Sequence, residues 1–250
     1  MSETILPRFN PDPPTTEAIL FPMERDNGLS VRIYLQLRQA LMRGKLRPGQ
    51  KLVHRVLAAE LRVSPTPVRE AVLRLASEAA LSIDQRGIAM VPELDPATYA
   101  EILNLRIELE GRAAAAAAAR PNPELAAEFA AFHDRMMAAR HAGDEDTHLA
   151  ANEDFHFRIL SAAGMPVLAR LVESLWMRCG PVLRYYIAHE RLVEGHPHLE
   201  FIAAVCEGTP EKARAAMVQD IENGGRIILR KLAERAHLAA ASLDSYLNQN

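Results

Sequence analysis

Cysteine is almost missing from this chain: Cys179 and Cys206 are the only two in 250 residues. Their separation matches neither a metal knuckle nor a vicinal redox pair. Both are expected to be reduced thiols of a cytoplasmic protein. Aromatic residues make up only 5% of the chain while alanine abounds, a balance that favours helices. No apolar run approaches the roughly 20 residues that a membrane-spanning helix needs, so no membrane partner is expected. The N-terminus carries Pro7, Pro11, Pro13 and Pro14 without the basic-then-apolar pattern of a secretory leader. Neither a Gly-rich phosphate loop nor a nucleophile motif occurs, and no general base stands at a fixed spacing.

What the chain does have is apolar mass, 49% of its residues, enough for one or two packed domains. Its charge is uneven. Residues 25–90 hold twelve Lys and Arg against five Asp and Glu, a local +7 that leaves −10 on the rest of a chain whose net charge is −3. A basic N-terminal part on an acidic body suits phosphate binding by one domain only. Chance surface asymmetry is the plainer alternative.

Along the chain, residues 1–24 read as a flexible, proline-rich tail. Residues 25–93 read as one domain. A helix spans 29–43, ended by Gly44 and the Pro48-Gly49 turn, and a second covers about 54–62. The third starts at Ser64. Its hydroxyl suits an N-cap, and Pro65 suits the first helical turn. Val68, Ala71, Val72 and Leu75 then form one apolar stripe, away from which Thr66, Arg69 and Arg74 fall. Leu81-Ser82-Ile83 and Ile88-Ala89-Met90-Val91 flank Asp84-Gln85-Arg86-Gly87 as a small hairpin. Three helices and a hairpin predict a winged helix-turn-helix, whose third helix is shaped to enter a DNA major groove.

Residues 94–250 read as helices only: 96–119, opened by an Asp95 cap with Pro96 behind it, then 123–141, 145–163, 166–188, 196–207 and 210–236, with room for one more at the C-terminus. The fold class is therefore mainly α, a winged helix-turn-helix followed by an antiparallel bundle of six to seven helices. The run Ala113 to Ala119 suits close helix packing.

Three blocks resemble GntR-type transcription regulators, in the FadR-like branch with an all-helical ligand-binding domain. They are Gly44-Lys45-Leu46-Arg47-Pro48-Gly49-Gln50-Lys51-Leu52, the segment from Leu57 through Val63-Ser64-Pro65-Thr66-Pro67-Val68-Arg69-Glu70-Ala71, and Leu105-Arg106 with Leu109-Glu110, Phe155-His156 and His198. The resemblance implies operator DNA, a small carboxylate effector and a homodimer as partners, with repression as the output. It implies DNA contacts from Arg55, Ser64, Thr66, Arg69, Arg86 and Gly87. Arg69 is the best candidate for a bidentate guanine contact; the competing role is a surface ion pair with Glu60 or Glu70. Two departures stand out. Pro65 replaces an arginine usual in the family, so one DNA contact is lost. Ala79 replaces a usual helix-ending glycine, so the turn into the wing is expected to differ.

Metal-binding members of the branch pair an Asp and a His at i, i+4 with two later His. Here the corresponding residues are Asn152, His156, His198 and Asp220. Two imidazoles and a carboxylate can hold Zn²⁺, Ni²⁺ or Mn²⁺; a hydrogen-bonded cluster without metal, or a polar pocket touching the effector, is the alternative. His148 reads as a surface residue or spare ligand, Glu153 as facing elsewhere and His196 as outside the cavity. Arg106 either grips an effector carboxylate or pairs with Glu110 at the surface. Arg178, Tyr185 and Asn223 are further effector candidates, and Trp176 and Met136-Met137 read as packing. A metal-dependent enzyme acting on a small organic acid is the competing function.

Overall fold

In the computed structural model, residues 28–187 and 196–247 are described, with the side chains of 28–184 and 196–238. The expected tail at 1–24 lies outside them. The first helix, α1 (Leu29–Met42), buries Ile33, Tyr34, Leu37 and Leu41. Strand β1 (Lys51–Leu52) follows, then α2 (His54–Glu60), α3 (Pro65–Ser77), β2 (Ser82–Ile83) and β3 (Ala89–Met90). The sheet order is β1-β3-β2, with Met90 opposite both Lys51 and Ser82, so all pairs are antiparallel. The hairpin is the expected one. Strand β1 was not expected, because two residues are too few to show an alternating pattern.

Helix α3 buries the predicted stripe of Val68, Ala71, Val72 and Leu75. Its start corrects one expectation: Ser64 sits at the N-cap with extended backbone, but its side chain caps nothing. An N-cap oxygen accepts from the second or third helical N–H, and the third position here is Pro67, which has none.

Both turns that bracket α3 hold a non-glycine residue in the left-handed region, Arg62 at φ 55° and Ala79 at φ 56°. The Ala80 N–H returns to the Leu75 carbonyl and the Ala79 N–H to that of Ala76, each at 3.0 Å. That is the hydrogen-bond pattern in which glycine is normally favoured. The turn into the wing thus keeps the shape a glycine would give it, and alanine is strained there. Ala79→Gly should stabilise the protein by about 0.5–1 kcal/mol, the relieved strain exceeding the added chain entropy. Urea unfolding checks this, and an unchanged midpoint would contradict it.

The C-terminal part comprises α4 (Pro96–Ala117), α5 (Pro123–Ala142), α6 (Glu145–Ala162), α7 (Pro166–Ile187), α8 (Pro197–Glu207) and α9 (Pro210–Leu247). Side-chain caps start four of them, with Asp95, Asn122, Asp144 and His196 accepting from the N–H groups of Thr98, Leu125, Thr147 and His198. Helix α9 runs to Leu247 rather than the expected 236, because no Gly or Pro interrupts the alanine-rich segment after Arg235. Helix α4 lies along α9, with Ala113, Ala114 and Ala117 buried, as close packing requires. Phe129, Phe155 and Phe201 join α5, α6 and α8 in a ring cluster with centroids 5.0–5.6 Å apart.

The two parts meet where α1 packs on α7. A Cβ added at Gly180 would stand 2.3 Å from the Leu41 carbonyl oxygen and 2.6 Å from that of Met42. Ion pairs rim this contact: Arg38 with Glu173 at 2.9 Å, Arg43 with Glu153 at 2.5 Å, and Arg184 with Asp146.

Candidate DNA interface and buried polar centre

Arg55 at the start of α2, Ser64, Thr66 and Arg69 at the start of α3, and Arg86 and Gly87 at the wing tip are all exposed. Among the described residues no ion pair occupies Arg55, Arg69 or Arg86, so the competing pairing of Arg69 with Glu60 or Glu70 does not form. Asp84 shapes the wing tip by accepting the Arg86 N–H at 2.9 Å and the Ile88 N–H at 2.8 Å. Gly87 completes the turn at φ 78°, a conformation that side chains disfavour.

The second constellation is a polar chain through the bundle. Arg106 on α4 donates to Glu110 from Nε at 2.6 Å and from its terminal nitrogen at 3.4 Å. Glu110 also accepts from Trp176 Nε1 at 3.1 Å and meets His156 Nδ1 at 2.7 Å. His156 Nε2 faces Asp220 at 3.3 Å, and Asp220 faces His198 Nε2 at 3.5 Å. Burial alone would raise the Glu110 carboxyl, but Arg106 and His156 outweigh it and hold it at about 2. Burial would lower His156, yet Asp220 and Glu110 raise it to about 9. His198 is lowered, because burial outweighs Asp220.

Several expectations change here. Arg106 does pair with Glu110 at i, i+4, but the pair is buried rather than at the surface, and the guanidinium lies over the Trp176 ring at 4.4 Å. Trp176 is thus a polar anchor as well as packing. His196 is not outside the cluster: its ring centroid stands 4.3 Å from His198 and 5.3 Å from His133. Arg178 instead lines a cleft between the wing and the bundle, with Ser82, Glu93 and Thr98. Asn223 is exposed, and the side chain of Tyr185 lies outside the described residues. Glu153 faces away from the centre, as expected, onto Arg43. Asn152 and His148 are half-buried, His148 against the Met136 carbonyl at 3.2 Å. Met136 is buried, as packing requires.

Sequence reasoning missed Glu110 as the hub and His133 altogether. A signal existed for His133, which continues the buried stripe of Phe129 and Met136 on α5.

The ligand atoms of His156, His198 and Asp220 lie within 4.8 Å of one another. Glu110 fixes the His156 ring so that Nε2 points at the other two, the arrangement by which carboxylates orient metal-ligating imidazoles. His198 Nδ1 is buried without a hydrogen-bond partner, and Nε2 has only the 3.5 Å approach to Asp220. This donor set fits a divalent cation.

Residues 29–91 match the model for bacterial regulatory proteins of the gntR family, and residues 101–223 match the FCD domain. The HTH-type transcriptional regulator McbR of Escherichia coli is 35% identical over 173 residues, 69% of this chain and 78% of that protein. The solved structure of E. coli McbR/YncC superposes with a TM-score of 0.72 at 30% identity, covering 84% of this chain and 99% of that one. The gluconate operon transcriptional repressor of Bacillus subtilis is 39% identical over 80 residues, 32% of each chain. These relatives and both matched domains belong to transcription regulators, which sets the metal-enzyme alternative aside. Among the described residues no helix is long and apolar enough to cross a membrane. With a basic three-helix unit that presents a free-armed helix and a wing, and an all-helical body behind it, the chain belongs to the GntR family of transcription regulators, with an FCD domain as its C-terminal part.

Proposed function

We propose that this regulator acts in the cytoplasm as an operator-specific repressor, dimeric on DNA and responsive to a small carboxylate. Residues 25–93 would bind DNA, and residues 94–250 would sense the effector and dimerise. The observation that carries the DNA reading is the exposed group of Arg55, Ser64, Thr66, Arg69, Arg86 and Gly87, whose arginines no internal ion pair holds. On this reading Arg69 contacts a base edge, and Arg86 reaches the adjacent groove from the wing. The repressor sign is supported by the gluconate operon relative, and dimerisation by the need to read paired half-sites.

His156, His198 and Asp220 would hold a divalent ion, Zn²⁺, Ni²⁺ or Mn²⁺, with Asn152 one turn before His156 as a neutral fourth donor. When bound, the ion supplies a Lewis-acid seat for a carboxylate. Arg106 is already satisfied by Glu110, so it orders the seat through Glu110 rather than gripping the effector. Helix α6 carries His156 three residues after Glu153, which grips Arg43, the residue that ends α1, at 2.5 Å. A shift of α6 at the ion therefore reaches the DNA-binding unit directly.

The test is binding to the region upstream of the protein's own gene at about 100 mM salt. Arg69→Ala should weaken specific binding by about ten- to hundredfold while leaving weak non-specific binding near its original level. An unchanged operator affinity in a folded variant would overturn the reading.

A further inference from the structure

The buried centre holds more imidazole than the His156–Asp220 arrangement uses. His133 on α5 and His196 at the start of α8 both turn towards His198. The His133 ring centroid lies 5.3 Å from that of His196 and 5.7 Å from that of His198, and the latter two lie 4.3 Å apart. One nitrogen from each ring falls within 4.8 Å of the other two. His198 is fully buried and His133 nearly so, at 0% and 7% exposure. His133 Nδ1 and His198 Nδ1 have no hydrogen-bond partner, while His198 Nε2 has only the 3.5 Å approach to Asp220. Buried polar atoms are nearly always paired, so orphaned nitrogens on two adjoining imidazoles call for a ligand.

We infer that His133, His196 and His198 form a second transition-metal seat, built of imidazoles alone. It is distinct from the seat of His156, Asp220 and His198 in its donor chemistry. That seat brings a carboxylate and can accept a harder ion such as Mn²⁺. The imidazole seat is neutral and all-nitrogen, which suits Cu²⁺, Ni²⁺ or Zn²⁺ and disfavours Mn²⁺ or Mg²⁺. His196 Nδ1 accepts the His198 backbone N–H at 3.2 Å. An ion bound through that nitrogen displaces only this long contact, and Nε2 keeps the proton of the neutral ring. Rigid elements hold all three residues: α5 presents His133, and the start of α8 presents His196 and His198 two residues apart. The inference shares His198 with the proposed effector seat but does not need that seat to be filled.

The test uses the full-length protein stripped of metal and loaded with Cu²⁺ below one equivalent. Electron paramagnetic resonance counts the coordinating nitrogens without any substitution. Three imidazoles are expected, and two would overturn the inference while leaving the His156–Asp220 seat standing. Zinc retention is then measured in Asp220→Ala, which removes the carboxylate and leaves His156 paired with Glu110. This variant should keep an equivalent of zinc that disappears when His133→Gln and His196→Gln are added. Loss of zinc in Asp220→Ala alone, or its retention after all three changes, would overturn the inference. Failure of the unaltered protein to bind Cu²⁺, Ni²⁺ or Zn²⁺ would overturn both seats together. Circular dichroism verifies that each variant is folded.

Discussion

Replacing Glu110 with glutamine should destabilise this protein by about 3–5 kcal/mol, because it strips the anion from a buried cation pair. The exchange is nearly isosteric, so packing is barely altered. Arg106 and Glu110 are 5% and 2% exposed. Beyond Glu110, Arg106 has the face of the Trp176 ring and a weak contact with the Cys179 sulfur at 3.7 Å, and neither carries a compensating charge. An amide accepts hydrogen bonds from Arg106 and Trp176 less strongly than a carboxylate, and it cannot offset the guanidinium charge. Melting should fall on the order of 10 °C. The pH dependence gives a second signature. Burial raises the Glu110 carboxyl, but Arg106 and His156 hold it at about 2 against an ordinary 4.5. A carboxyl depressed on folding contributes stability that is fully present above its unfolded value and is lost as the pH falls through the folded one. Here that contribution is about 3 kcal/mol, lost between pH 4.5 and about 2. Glu110→Gln should remove that part of the acid limb, so the gap between variant and parent narrows in this range. A constant gap across it would show that the carboxylate is not held as described.

Gly180→Ala should uncouple the two halves of the molecule. The added Cβ would lie 2.3 Å from the Leu41 oxygen and 2.6 Å from the Met42 oxygen. Both are backbone atoms, which no rotamer change can move. Helix α1 must therefore lift off α7, drawing Arg43 from Glu153 and Arg38 from Glu173. Overpacking of this kind typically costs about 1–3 kcal/mol. The larger effect falls on communication. On the proposed function, operator binding by the α3 and wing face should survive, metal binding in the bundle should survive, and the influence of effector on operator affinity should drop towards none. Titrations of operator with and without effector measure this, and hydrogen exchange across α1 reports the loosened contact. An effector response of unchanged size would show that the signal does not cross at Gly180.

Most helices were legible because their information is local. The stripe on α3, the cap at Asp95 and the left-handed Gly143 and Gly208 each lie within a few residues of the boundary they set. Strand β1 was not, since its two residues become a strand only by meeting Met90 and Ala89. The buried centre was half legible. His156, His198 and Asp220 could be aligned with a family pattern, and the structure brings them together. The roles of Glu110, Trp176 and His133 depend on five helices converging, and no spacing along one helix encodes that. Arg106 shows the difference most sharply. Its pairing with Glu110 is written in the i, i+4 spacing, but that α9 packs along α4 is a property of the whole bundle.

Prolines at positions 65 and 67 have one more consequence at the start of α3. The opening of a helix normally offers four unclaimed amide hydrogens, a general-purpose lure for any phosphate. Here two of the four are chemically absent, and only Ser64 and Thr66 still carry one. This end of the rod therefore attracts duplexes of arbitrary sequence less strongly than most. Discrimination between sites falls to the hydroxyls and guanidinium beside it, which makes for a reader that is choosy rather than sticky.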